Sequence, residues 1–169
     1  QLYKIEQASK LAKNEWILLL DGDDIFTKNK IVTLDKIKLN NKKIYLNDYQ
    51  IITNKKYKIP KIKKYKKFYF YKKLFNDWPE KINTSSIIIH STLLKNFYKK
   101  QKPYDWKYLA IDIQLALVSH YAKNLNFIKK ILTLKRENIN NIDKNYSNYL
   151  KKIYWLRRYE QHNLSKKIS

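Results

Sequence analysis

Cysteine is absent from the 169 residues of this chain. Disulfides, thiolate nucleophiles and cysteine-ligated zinc are therefore excluded together. The three histidines, His90, His120 and His162, lie too far apart for a His-x-x-x-His zinc helix, which leaves only convergence in space. Glycine occurs once, at Gly22. Phosphate-cradling loops of the G-x-G-x-x-G or G-x-x-x-x-G-K type need several glycines and are not present. Methionine is missing even from position 1, where Gln1 stands, so a fragment or processed product is expected. No apolar run approaches the ~20 residues of a membrane span, and no signal-peptide pattern opens the chain. The expected location is cytoplasmic, with room for a peripheral position on the inner face of the plasma membrane.

What is present is ample core material: 44% of residues are apolar and 15% aromatic. Such a chain can bury a core as one globular unit. Lysine and arginine number 37 against 14 acids, a formal net charge of +23. A surface of that kind attracts nucleic acid, acidic polymers or anionic headgroups. Arginine, however, occurs only at positions 136, 157 and 158. Bidentate phosphate or base recognition favours arginine, so the charge reads first as a solvated lysine surface and no specific nucleic acid is expected. The alternative is a lysine-rich polyanion-binding module without catalysis.

Along the chain, Leu2, Ile5, Ala8, Leu11 and Ala12 recur at helical spacing, predicting an amphipathic helix over 2–13. The apolar run Trp16-Ile17-Leu18-Leu19-Leu20 then predicts a strand covered on both faces. A helix feeding a buried strand points to parallel α/β architecture. Ile31, Leu34 and Ile37 predict a helix beginning near Thr27, and 44–52 a strand interrupted at Asn47-Asp48. Residues 53–67 read as a lysine-dense surface loop or edge region, 68–71 as an aromatic strand or turn closed by Trp78-Pro79, and 85–90 as a strand. Helices are expected over 91–99, 109–121 and 145–163, the second presenting Ile113 and Leu117 on one face. A strand is expected over 127–134.

Three carboxylates, Asp21, Asp23 and Asp24, stand within four residues directly after the first apolar strand. Packed together they repel one another unless a counterion is present. In open α/β sheets ligands bind beyond the carboxyl ends of strands, and hard cations are shared between carboxylates and substrate phosphates. Gly22, inside the cluster, permits a tight turn or close ligand approach. These features describe a metal–diphosphate site. The residues equally allow a second reading, a strand end whose aspartates face water and prepare the next helix.

Residues 7–24, Gln7-Ala8-Ser9-Lys10-Leu11-Ala12-Lys13-Asn14-Glu15-Trp16-Ile17-Leu18-Leu19-Leu20-Asp21-Gly22-Asp23-Asp24, resemble the central segment of family 2 glycosyltransferases. That segment runs from an alanine-rich helix into an apolar strand ending Asp-x-Asp-Asp. Asn14 stands where the family usually has glycine. Thr84-Ser85-Ser86-Ile87-Ile88-Ile89-His90 is similar to the strand after the acceptor region. Ala110-Ile111-Asp112-Ile113-Gln114-Leu115 resembles the helix start carrying the catalytic base, with Ile111 in place of the usual glutamate. Leu132-Thr133-Leu134-Lys135-Arg136 resembles the closing Tyr-Arg segment, and residues 155–162 a tail of some bacterial members. The Gln-x-x-Arg-Trp signature of processive synthases is absent.

The resemblance implies a GT-A, Rossmann-like, mostly parallel sheet flanked by helices, lacking the first nucleotide-binding strands and ending in a C-terminal helix. It places the partial GT-A domain over 1–136 and a helical tail over 137–169. It further implies transfer of a sugar from a nucleotide-diphosphate sugar to a saccharide or lipid-linked acceptor in cell-surface polysaccharide synthesis, with inversion. Asp21, Gly22, Asp23 and Asp24 would bind the donor. Asp23 with Asp21 would hold Mg²⁺ or Mn²⁺, and Asp112 would be the base. Arg136 is a candidate phosphate partner, Asp105-Trp106 a rival acid beside an aromatic. The cationic, aromatic tail over 146–167 reads either as a packed helix or as a contact with an anionic membrane.

Overall fold

In the computed structural model, residues 1–53, 56–58, 82–137 and 148–169 are described. The expectations for 68–71 and for Trp78-Pro79 lie outside them. Helix α1 (Leu2–Leu11) leads into strand β1 (Trp16–Leu18), then β2 (Ile25–Phe26), helix α2 (Lys30–Asp35), β3 (Ile44–Thr53) and β4 (Lys56–Lys58). A 3-10 turn (Thr84–Ser86) opens β5 (Ile87–His90), followed by α3 (Ser91–Gln101), α4 (Ile111–Tyr121), β6 (Leu125–Glu137) and α5 (Lys152–Ile168).

The architecture is α/β, but the sheet is mixed rather than mostly parallel. Its strand order is β1-β5-β3-β6-β2, with β4 paired to β3. Among the described residues only β3 and β6 pair in parallel; the β1–β5, β3–β5, β2–β6 and β3–β4 pairs are antiparallel. The reason lies in β5. It enters at the end of the sheet where β1 and β3 finish, and leaves at the other end into α3, so it is inserted antiparallel between two strands of like direction. β1 is consequently an edge strand of three partly exposed residues, not a strand covered on both faces.

Period-two alternation sorts the core. Ile87 and Ile89 of β5, with Ile44 and Leu46 of β3, face a layer that includes Leu94 and Phe97 of α3 and Ile111 and Leu115 of α4. Ile88 and Tyr45 point the other way, to Leu34 of α2 and Ile128 and Leu132 of β6. Each such aliphatic side chain contributes about 1.5–3 kcal/mol when fully buried. A third cluster joins Leu109, Ile113 and Leu117 to Leu164 of α5.

Several boundaries and faces differ from expectation. In α1, Leu2 and Ile5 pack on the core whereas Ala8 and Leu11 face outward. In α2, Lys30, Thr33 and Leu34 are buried while Ile31 and Val32 are exposed. Six residues are too few to impose a helical stripe against such packing. Residues 56–58, within the stretch expected to be a surface loop or edge region, form the short strand β4 against the end of β3. The interruption expected at Asn47-Asp48 is real as a pairing irregularity: the register of β3 against β6 shifts on both sides of Asp48. The terminal helix begins later than expected, leaving Leu150 exposed in the preceding turn.

Candidate active site at the carboxyl end of the first strand

Residues 21–24 form the turn that leaves β1, closed by the Asp24 N–H donating to the Asp21 carbonyl at 3.1 Å. The four residues are not equivalent. Asp24 is buried, and both its carboxylate oxygens are occupied. Oδ2 accepts from Asn83 Nδ2 at 3.0 Å and from Ser85 Oγ at 2.7 Å, and Oδ1 accepts from the Arg136 backbone N–H at 3.0 Å. Charge-assisted bonds of this kind are the strong ones. Asp24, expected among the donor-binding residues, is thus a brace between the turn, the entry to β5 and the end of β6.

Asp23 is exposed and Asp21 half-buried. Asp21 Oδ1 accepts from Gln1 Nε2 at 2.7 Å, and its backbone N–H donates to Ser85 Oγ at 2.9 Å. Burial pushes the Asp21 carboxyl above the ordinary aspartate range, and the negative charges of Asp24 and Asp23 push the same way. Side-chain hydrogen bonds from Thr84 and Gln1 partly oppose this. A cation set between Asp21 and Asp23 would relieve that repulsion. Gly22 has no positive φ, and a Cβ built on it meets nothing within 4 Å. The turn itself therefore does not require glycine; the space above residue 22 is open.

Beneath the turn lies a buried polar seam. Lys30, fully buried, donates from Nζ to the Ser85 carbonyl at 3.0 Å and to Thr133 Oγ1 at 3.2 Å. The same ammonium sits 3.7 Å from the centre of the Phe26 ring. Thr133 Oγ1 in turn donates to the Ser85 carbonyl and accepts from Asn47 Nδ2. Ser85 is therefore gripped at its carbonyl by Lys30 and Thr133 while its hydroxyl bridges Asp21 and Asp24. Burial pulls the Lys30 ammonium down from 10.5 to about 7.

Neither Lys30 nor Ser85 stood out in the sequence reading. Lys30 is one lysine among many, and only the fold encloses it. For Ser85 a signal existed: the polar run Asn83-Thr84-Ser85-Ser86 immediately before three isoleucines. The Asn83 side chain accepts from the Ser85 N–H and starts the 3-10 turn.

Asp112 lies in the first turn of α4, where its Oδ1 accepts from the Ile113 N–H at 2.8 Å. The helix ends at Tyr121, and its chain returns through Asn124, whose carbonyl accepts from the Ile44 N–H at the start of β3. Arg136 is exposed, and its backbone rather than its side chain braces Asp24. Asp105 is exposed in a 3-10 turn, and Trp106 packs with Leu109 and Leu164, with the Lys167 ammonium over its ring.

Among the described residues, no three histidine or acidic side chains converge as a self-sufficient metal cage. Mg²⁺ commonly uses one or two carboxylates and completes its shell with water and substrate phosphates. The pair Asp21 and Asp23, with Asp24 withdrawn into the protein, fits that mode. His90 is not part of it: its ring caps α3 and stands edge-on to Trp16. No family model, curated protein or solved structure matches the chain. Among the described residues, no helix is long and apolar enough to cross a membrane.

Proposed function

We propose that the chain is part of a metal-dependent, inverting glycosyltransferase that takes its sugar from a nucleotide-diphosphate donor and gives it to a saccharide or lipid-linked acceptor of cell-surface polysaccharide. One observation carries the reading: a strand-end turn in which the Asp24 carboxylate is locked inward as a brace while Asp23 is exposed and Asp21 stays half-buried beside it. A turn that merely finished a strand would have no need of that division.

Asp21 and Asp23 would hold Mg²⁺ or Mn²⁺ against the donor diphosphate; when bound, the ion neutralises the charge that develops on the leaving group. Open space over Gly22 lets the diphosphate approach the backbone. Asp112 takes the proton of the acceptor hydroxyl. The acceptor oxygen forms its bond to the anomeric carbon as the bond from that carbon to the diphosphate oxygen breaks, and the nucleoside diphosphate leaves. A single displacement inverts the centre.

The test is release of nucleoside diphosphate from a panel of nucleotide sugars, with and without Mn²⁺, for the parent and Asp23→Asn, alongside calorimetric binding of the same nucleotides. We expect metal-dependent turnover that falls about 100-fold or more in the variant, the several kcal/mol that metal stabilisation of a leaving group supplies. Absence of both turnover and metal-dependent nucleotide binding would sink the proposal. Salt-sensitive affinity for polyanions, indifferent to Asp23→Asn, would then favour a binding module.

A further inference from the structure

Five exposed side chains of α5 fall on one line. Lys152, Trp155, Tyr159, His162 and Lys166 are all exposed, and their alternating spacings of 3 and 4 residues keep them on a single helical face. The opposite side buries Gln161 and Leu164, the latter against Leu109, Ile113 and Leu117. Trp155 and Tyr159 are 61% and 66% exposed, and Tyr149 and Leu150, in the turn before the helix, 65% and 79%. Trp155 Nε1 donates to the Tyr149 carbonyl at 2.8 Å, tying that turn to the helix. Tyr149, Leu150, Trp155 and Tyr159 are thus large side chains left exposed to water, with Lys152 at one end of the line and Lys166 at the other.

The charge on this line is of one sign. Glu160 does not belong to it; its carboxylate accepts from the Tyr108 N–H at 2.6 Å. Arg158 is engaged with the Tyr154 ring and with Gln161. Tryptophan and tyrosine favour the membrane–water interface, where an apolar ring and a polar tip are both satisfied. Lysines beside them are attracted to anionic headgroups. A line of exposed lysine, tryptophan and tyrosine side chains that includes no arginine suits an anionic lipid surface better than a nucleic acid strand, which is tracked by basic grooves.

We propose that this stripe seats the protein on an anionic lipid surface, with Trp155 and Tyr159 in the headgroup region and Lys152 and Lys166 facing the lipid phosphates. The helix would lie in the plane of the interface. The proposal is independent of the acidic turn and its chemistry.

The experiment is sedimentation of the full chain with vesicles of phosphatidylcholine alone or mixed with phosphatidylglycerol, the latter also with brominated acyl chains. Binding to the anionic vesicles only is expected, with tryptophan fluorescence quenched by the brominated lipid. Trp155→Phe should keep the binding and lose the quenching. The double change Trp155→Ser with Tyr159→Ser should weaken partitioning about tenfold or more, the cost of removing two buried interfacial rings. Circular dichroism checks that these exposed substitutions leave the fold unchanged. Undiminished binding of the double variant would show that scattered lysines alone attract the vesicles and would overturn the proposal. Loss of single-stranded RNA binding in that variant, with vesicle binding intact, would overturn it in favour of nucleic acid.

Discussion

Between α4 and α5, Leu109, Ile113, Leu117 and Leu164 meet as apolar surfaces, whereas beneath the acidic turn Lys30, Asn47, Asn83, Ser85 and Thr133 are just as deeply buried and joined by hydrogen bonds. The first contact is non-directional: its strength follows the area removed from water, and it is indifferent to pH. The second is directional, and each member leaves a buried group unpaired if removed. A site that must hold carboxylates at fixed positions needs the second kind. Aliphatic packing would hold the turn in place but would not specify which oxygen faces inward.

The sharpest way to break the helical side of this contrast is Leu117→Ala, which should cost about 2–5 kcal/mol. Denaturant unfolding should show the same loss at pH 6 and pH 9; a loss that varied with pH would tie the helix seam to the polar one. On the other side, Asp24→Ala removes the shared acceptor of Asn83, Ser85 and Arg136. A loss of about 1–3 kcal/mol is expected, together with loss of any metal-dependent nucleotide binding, although the Asp24 carboxylate is turned inward. Retained nucleotide binding would show that the turn holds its shape without its brace.

Lys30 separates the two regions most finely. The unfolded chain keeps a proton on this amine up to about 10.5, while the folded protein releases it near 7. Between those values the unfolded state binds more protons, so stability rises with pH. The slope is on the order of 1 kcal/mol per pH unit at most. Above its ordinary 10.0, Tyr98, whose phenol is pushed up by burial, acts in the opposite sense. Lys30→Met should abolish the rise between pH 7 and 10, so that the parent gains on the variant as pH increases. Parallel stability curves would mean that the amine stays charged inside the fold.

The same contrast explains what could be read in advance. An apolar run ending in Asp21-Gly22-Asp23-Asp24, the isoleucines of β5 and the helical spacing of Ile113 and Leu117 are local patterns; the last two became the strand and helix expected, and the first became a strand, though a short one at the sheet edge. The direction of β5 is not a local property. Three isoleucines in a row alternate faces identically whether their neighbours run with or against them, so the parallel sheet rested on analogy with helix–strand alternation. Lys30 and the face of α2 failed for a related reason: the polar partners that make a lysine tolerable inside come from the turn before β5 and from β6, more than fifty residues away in sequence. Within the acidic cluster, composition showed three aspartates but not that one would turn inward, because the donors that draw Asp24 in lie at Asn83, Ser85 and Arg136.

The open space above Gly22 has a practical consequence when joined to the complete absence of cysteine. A thiol introduced by Gly22→Cys would be unique in the molecule, sited between Asp21 and Asp23, and free of steric conflict with the protein. A fluorophore or spin label attached there would watch the mouth of the acidic turn directly, reporting the arrival of an ion or a nucleotide without any need for turnover.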